Sequence, residues 1–268
     1  MRSFGYVRAA DLDAAVAALR VPGTTAIAGG TELLNWLKEG IVSPGRLLDI
    51  TGLPLAGIEA RPDGLRIGAL ARMSDVAAHP GVAGSYPVLA ESLLLSASPQ
   101  LRNMATIGGN LMQRTRCPYF RADYPLPCNQ RVPGSGCAAR DGDSSGQAIF
   151  GATPDCVATH PSDLAVALAA LDATVQLRSE AGVRTVPLTA FHLLPTEDAR
   201  HRHTVLEPGE LIVSVTVPGP AATRSHYLKV RERVSYEFAV VSAAAVVELA
   251  GGAVTAARLA LGGVAHRP

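Results

Sequence analysis

The chain has 268 residues, of which 48% are hydrophobic and 18% charged, enough for one large core or two moderate ones and so for two or three subdomains. Its 24 Lys and Arg against 23 Asp and Glu give a net charge of +1, and aromatics are 4%. That excludes a dedicated nucleic-acid binder, which needs a basic excess or stacking platforms, and no apolar run reaches the roughly 18 residues of a membrane span.

From the N-terminus, Leu12 to Leu19 carry apolar groups at helical spacing with Asp11 in the N-cap position. Thr25-Ala26-Ile27-Ala28 reads as a short buried strand ending at Gly29-Gly30. Thr31 then caps a helix over Glu32 to Glu39 that stops at Gly40. With a strand at Leu47 to Ile50, the chain to this point reads as a small α/β unit. A strand at Leu65 to Ala69, a short helix at Met73 to Ala78 and a longer one at Pro87 to Leu95 follow, before a Gly/Asn-rich loop at Asn103 to Asn110. Residues 113–160 show little periodicity and hold all four cysteines. A long irregular stretch inside a compact domain is uncommon and usually functional. Periodicity returns with a helix at Ser162 to Leu171 and strands at Ala173 to Arg178, Val183 to Pro187 and Leu211 to Val217. The tail reads as an antiparallel meander: Ser225 to Val230, Val240 to Leu249, a Gly251-Gly252 turn, and a strand through Ala257 to Leu261. The meander shows no helices to cover its open face, so that cover is expected from further chain or from a partner.

Two Gly-Gly loops stand out. In Ala28-Gly29-Gly30-Thr31-Glu32-Leu33-Leu34, the glycines let the backbone approach a ligand without a Cβ in the way, and the following helix start presents unpaired N–H groups suited to a phosphate. The loop is neither a dinucleotide G-x-G-x-x-G nor a P-loop, because no Lys-Ser/Thr follows it. The second, Ala105-Thr106-Ile107-Gly108-Gly109-Asn110, also sets a Thr hydroxyl beside the glycines. Together they fit an elongated, phosphate-bearing ligand between subdomains; as independent turns they need no ligand at all.

Cys117, Cys128, Cys137 and Cys156 are the only cysteines, separated by 10, 8 and 18 residues. Disulfides need an oxidising compartment, and the N-terminal sequence has no apolar core of a secretory signal. Structural zinc usually uses closely paired cysteines, whereas an iron–sulfur cluster tolerates wide spacing when a loop wraps it. Both metals stay open at this point, with the cluster ahead. Arg114, Arg116, Arg121, Arg131 and Arg140 flank the cysteines and offset the charge of a thiolate site, or else form a solvated rim that docks a partner.

In this order Ile27-Ala28-Gly29-Gly30-Thr31, Ala105 to Asn110 and Thr159-His160-Pro161-Ser162-Asp163-Leu164 resemble the medium, FAD-binding subunit of the xanthine dehydrogenase family. The run from Gln113 through Cys117, Cys128 and Pro133-Gly134-Ser135-Gly136-Cys137 to Cys156 resembles the bacterial aldehyde oxidoreductase branch, whose flavin subunit gains a [4Fe-4S] cluster. Lys229 to Ala239 and Ala260 to Val264 fit the same branch.

The resemblance implies an α+β (mixed α/β) chain: a two-subdomain FAD-binding fold of the PCMH type with a cysteine-rich cluster loop, plus a partial C-terminal subdomain. The divisions are 1–55, 56–220 (cluster loop 113–160) and 221–268. It implies an oxidoreductase subunit that passes electrons from partner iron–sulfur centres through FAD to an external acceptor. The partners are a molybdenum-cofactor large subunit and a small subunit with two [2Fe-2S] clusters, in a heterotrimer or its dimer. The expected location is cytoplasmic, or periplasmic by co-export with a partner. Carried over, Ile27, Ala28, Gly29, Gly30, Thr31, Glu32, Leu33 and Leu34 bind the FAD pyrophosphate, and Thr106, Gly109 and Asn110 the phosphate or ribityl region. Asp163 accepts from FAD hydroxyls, Ile212 (with Leu211) and Lys229 lie near the isoalloxazine, and the four cysteines each give one thiolate to iron. Two other classes compete: a stand-alone PCMH-type flavin oxidoreductase and a zinc-stapled, non-catalytic assembly module. The first needs its own acid or base near the flavin, yet His160, His192, His201, His203 and His226 form no constellation in the sequence and read as exposed or capping residues.

Overall fold

The computed structural model describes residues 1–197, 202–219 and 224–268. The first layer holds β1 (Gly5–Arg8), α1 (Leu12–Leu19), β2 (Thr24–Ile27), α2 (Leu33–Lys38) and β3 (Arg46–Asp49). β3 runs between β1 and β2, parallel to both. β1 is missing from the sequence reading because none of its residues is buried, so it offers no alternation to detect. Asp11 caps α1 as expected, accepting from the Ala14 N–H at 2.8 Å. The expected Thr31 cap does not form. Glu32 occupies the N-cap in a helical conformation, and Thr31 instead offers its carbonyl to Asn35 Nδ2 at 3.1 Å. Gly40 ends the segment with φ +65°, the left-handed conformation that favours glycine.

The second layer is a five-stranded antiparallel sheet in the order β4-β5-β8-β6-β7. Its strands are β4 (Ile58–Arg61), β5 (Gly64–Gly68), β6 (Thr174–Ser179), β7 (Gly182–Pro187) and β8 (Leu211–Pro218). β8 is central and buried on both faces along most of its length, which is why it reads as an apolar run rather than an alternating one. Between β5 and β6 lie α3 (Met73–Ala78), α4 (Pro80–Ser85), α5 (Pro87–Leu95), α6 (Pro99–Arg102), α7 (Ile107–Leu111), α8 (Pro118–Arg121) and α9 (Asp163–Ala170); α10 (Leu188–Phe191) follows β7. Proline opens α4, α5, α6 and α8, where its missing N–H costs nothing. The second Gly-Gly segment is not wholly a loop: residues 107–111 form α7, capped by the Thr106 hydroxyl. The cysteine segment is irregular as expected, with α8 and a single 3-10 turn at Ala138–Arg140.

The third layer is the antiparallel meander β9 (Arg224–Val230), β10 (Val241–Ala250) and β11 (Ala253–Gly262), in the order β11-β10-β9. One core cluster joins its Tyr227, Ala244 and Val246 to α5, α9 and the second sheet. Another joins Ala15, Leu48 and Ile50 of the first layer to Leu70, Leu211 and Val213 of the second. The first two layers are therefore packed at one side and leave a cleft at the other. Among the described residues no helix is long and apolar enough to cross a membrane.

Candidate functional site

The cleft holds two cavities, about 260 Å³ and 320 Å³, which share Thr31, Glu32 and Gly109 in their walls. The two Gly-Gly segments meet there. A Cβ on Gly29 would sit 1.8 Å from the Met104 carbonyl oxygen, so this glycine is required by the backbone of the second segment rather than by a ligand. Gly30 is required by its φ of +71°. Gly108 packs on Ala69, which a Cβ would approach to 3.0 Å.

The two segments differ in what they leave open. Among the described residues, the N–H groups of Gly29, Gly30, Thr31 and Glu32 donate to no protein acceptor, whereas the Leu34 N–H is taken by the Gly30 carbonyl at 3.0 Å. In the second segment the Ile107 and Gly108 N–H groups donate to the Ala71 and Ala69 carbonyls, and the Asn110 N–H to the Thr106 carbonyl. The Gly109 N–H donates to Thr106 Oγ1 at 3.2 Å. The first segment thus presents a run of free backbone donors, the arrangement that takes an anion, while the second presents a wall and the side chains of Thr106 and Asn110. Asn110 is itself held, its Oδ1 accepting from Ser162 Oγ at 2.5 Å.

Asp163 lines the smaller cavity, at the start of α9. Its carboxylate accepts from Tyr227 OH at 2.6 Å, Lys229 Nζ at 2.8 Å and Ser96 Oγ at 3.1 Å. Burial pushes the Tyr227 phenol up, and the neighbouring Asp163 charge pushes it further. Ile212 and Leu211 line the larger cavity beside Gly29 and Gly30. Lys229 lines neither: its ammonium is spent on Asp163 and on the Leu95 carbonyl at 3.1 Å. Ile212 and Lys229 are therefore not brought to one place. Ala28 and Leu33 line the larger cavity, whereas Ile27 and Leu34 line neither.

Cys117, Cys128, Cys137 and Cys156 come together around one small cavity at the far end of the irregular segment, all as free thiols. Cys128 and Cys137 face each other across an isolated antiparallel bridge. Burial pushes the Cys128 thiol up, against backbone N–H groups of Gln130 and Arg131 that favour its thiolate. Burial pushes Cys156 up to about 12, opposed by the Ala158 N–H, and the other three sulfurs add to the shift. Gln147 Nε2 points at Cys117 Sγ from 3.6 Å. N–H groups directed at sulfur suit a thiolate-ligated centre, and four crowded thiolates need cationic charge among them. Among the described residues no group of three or more His, Cys, Asp or Glu is arranged to hold a metal ion.

Four of the five arginines around the cysteines fold back onto the chain, whereas Arg140 is exposed. Arg121 donates to Glu32 Oε1 at 2.6 Å and to Glu39 Oε2 at 2.8 Å, and Arg116 donates to Glu32 Oε2 at 2.6 Å. Arg114 stacks on Phe120 and Trp36, and Arg131 donates to the Ala122 carbonyl at 2.6 Å. Burial pulls Arg114 down to about 10 and lowers Arg116 as well, in the latter case against the pull of Glu32. Sequence reasoning missed this network because its partners lie more than 80 positions apart.

The histidines also differ from expectation. His192 is 3% exposed, and its ring stands 4.3 Å from that of His160, centroid to centroid. Together with His203 and His266 they line a small cavity beside Arg114. His226 is exposed and pairs with Glu91, while His201 lies outside the described residues.

Residues 2–220 match the family described as the FAD binding domain in molybdopterin dehydrogenase, and residues 226–268 match the CO dehydrogenase flavoprotein C-terminal domain. The chain is 50% identical over 271 residues to the aldehyde oxidoreductase FAD-binding subunit PaoB of Escherichia coli K12, covering 100% of this chain and 83% of that one. It is 30% identical to the glyceraldehyde dehydrogenase medium chain of Sulfolobus acidocaldarius, covering 99% and 77% respectively. Among solved structures it is similar to quinoline 2-oxidoreductase from Pseudomonas putida 86, with a TM-score of 0.73 at 28% identity, covering 99% of this chain and 76% of that one. The chain belongs to the FAD-binding subunits of the molybdenum hydroxylase family, and its mixed α/β architecture is that of the family's flavin domain.

Proposed function

We propose that this oxidoreductase subunit is an electron relay, holding FAD in the cleft between its first two layers and a [4Fe-4S] cluster among its cysteines. The observation that carries the cluster is the convergence of Cys117, Cys128, Cys137 and Cys156 on one cavity, with N–H donors aimed at three of the four sulfurs. In this reading each cysteine gives one thiolate to iron. The free N–H groups of Gly29, Gly30, Thr31 and Glu32 take the FAD diphosphate, and their openness is what makes the cleft fit that group. The Thr106 hydroxyl and Asn110 carboxamide line the phosphate and ribityl path, and Asp163 accepts from a ribityl hydroxyl. A carboxylate has about four lone-pair sites, of which the protein uses three here. Ile212 and Leu211 supply the apolar wall of the larger cavity. Lys229 acts through Asp163, orienting its carboxylate by the hydrogen bond at 2.8 Å, rather than by touching the ring.

When bound, FAD would supply one- and two-electron transfer and the iron–sulfur cluster one-electron transfer. The protein's own task is to hold both groups at fixed places and to keep the buried thiolates and the diphosphate compensated. Electrons enter from a molybdenum-cofactor large subunit by way of a small subunit with two [2Fe-2S] clusters, and leave to an external acceptor. The names of the relatives, FAD-binding subunit and medium chain, support an assembly of this kind. We assign one subdomain to each sheet, at 1–55, 56–220 and 221–268.

Visible absorption with iron and sulfide analysis tests the reading. The expected spectrum has flavin bands over a broad shoulder bleached by dithionite, and Cys128→Ser loses the shoulder and the iron while retaining part of its FAD. Zinc in place of iron in the parent, or full retention of iron and sulfide in Cys128→Ser, overturns it.

A further inference from the structure

Glu32 is out of place by charge. It puts a carboxylate at the junction of the two cavities, next to the backbone donors that take the FAD diphosphate in the reading above. Left alone, that carboxylate would repel the ligand. It is not left alone: its side chain is 12% exposed, and its oxygens accept from Arg116 at 2.6 Å, Arg121 at 2.6 Å and Trp36 Nε1 at 2.7 Å. Both arginines come from the cysteine segment. Arg116 immediately precedes Cys117, and Arg121 ends α8, the single turn of helix that Cys117 opens. Arg121 is further fixed by the Thr115 carbonyl at 3.1 Å and by Glu39 on the far end of α2. The segment therefore clasps α2 at two points. Arg116 also stacks on Phe238, which lines the smaller cavity, at 4.5 Å.

We propose that the cysteine segment is an electrostatic part of the FAD site, with Arg116 and Arg121 as positioning residues that neutralise Glu32 and so couple folding of the segment to FAD binding. The coupling is reciprocal. Whatever orders the segment tightens FAD, and FAD stabilises the ordered segment by the same factor. On the cluster reading, loading the cysteines is what orders it, so cluster and flavin assemble cooperatively in one chain. The arginine clasp itself rests on the ion pairs and holds whether or not the cysteines carry iron.

The test is FAD affinity, by flavin fluorescence on the deflavinated full chain in its assembled complex, for Arg121→Gln, Arg116→Gln, Arg121→Lys, Glu32→Gln and the double variant Arg121→Gln/Glu32→Gln. Arg121→Gln and Arg116→Gln are expected to weaken FAD binding at least about fivefold, the low end of ordinary coupling. Arg121→Lys, which keeps the charge, stays within about twofold of wild type, and Glu32→Gln in the Arg121→Gln background restores most of the loss. Rescue by removing the acid is the signature a merely structural arginine would not give. Wild-type affinity in both arginine-to-glutamine variants overturns the proposal, as does failure of Glu32→Gln to rescue or an equal loss in Arg121→Lys. Cys128→Ser extends the test: its loss of FAD affinity shrinks in the Glu32→Gln background, and an equal loss in both backgrounds overturns the link to the segment. Iron and sulfide analysis of the parent separates failure of the cluster reading from failure of the clasp.

Discussion

His192 shows how one enclosed side chain writes itself into the behaviour of the whole chain. Its Nε2 lies 3.0 Å from the Leu111 carbonyl, which only accepts, so the proton sits on Nε2. Nδ1 is buried and has no hydrogen-bond partner. Burial first, with the nearby His266 and Arg267 adding to it against the Leu111 carbonyl, pulls the imidazole down to about 4. His160 is pulled down as well, by burial and then by His192. The unfolded chain takes up these protons near the ordinary histidine value of about 6.5, and the folded chain resists until near the lowered one. Stability from His192 is therefore complete above about 6.5 and is lost as pH falls from there towards 4, by roughly 3 kcal/mol in all. Denaturant unfolding at pH 7.5 and pH 5 should show a smaller difference for His192→Gln than for wild type. An unchanged difference would mean that the ring is not held neutral. A smaller slope from His160 remains in the variant, since burial is the larger cause of its shift and His192 the next.

At the scale of the element, the two Gly-Gly segments are interlocking parts rather than matching halves of a clamp. Gly29→Ala places a methyl group against the Met104 carbonyl, which is backbone and cannot swing aside. Forcing an extra carbon into packed structure costs about 1–3 kcal/mol, and here the relief is separation of the two segments. Gly29→Ala should lower the melting temperature and release FAD, read by thermal unfolding and by flavin content of the purified protein. Retained flavin with an unchanged melting temperature would show that the segments do not need this contact. Much of this element-level structure was legible. Asp11, α1, α3, α5 and the α9 start at Ser162 follow from caps and periodicity, and the meander follows from alternation around the Gly251-Gly252 turn. What escaped has physical reasons: β1 and β4 bury none of their residues, α6, α8 and α10 are four-residue turns, α4 is a six-residue helix opened by proline, and α7 hides in a glycine pair that favours no helix. The cysteine segment was legible as a site but not as a partner of α2, because local pattern carries no information about arginines that fold back onto a distant helix.

For the whole molecule, the open question is what the third sheet contributes to a cleft it does not line with its strands. The answer runs through Asp163. Tyr227 and Lys229, both on β9, supply two of the three hydrogen bonds to this carboxylate, and Ser96 supplies the other. Lys229 and Asp163 are 1% and 6% exposed, so the pair is held in the interior, where a missing donor is not replaced by water. The same strand packs Tyr227 into the core shared with α5 and α9. The meander therefore does two things at once: it closes the apolar core, and it sets the orientation of an acid that lines the smaller cavity. Tyr227→Phe separates the two roles, since it keeps the ring and its packing and removes only the hydroxyl. A hydrogen bond to a charged acceptor contributes about 1.5–3 kcal/mol. In a chain of this size that lowers the melting temperature by roughly 3–10 °C. Because Asp163 then loses one of its anchors, FAD affinity should fall in the same variant while the iron content of the cysteine segment stays as in wild type. A variant that melts lower but binds FAD as before would confine the third sheet to a packing role, and one that also loses iron would mean that the hydroxyl supports the fold at large rather than Asp163.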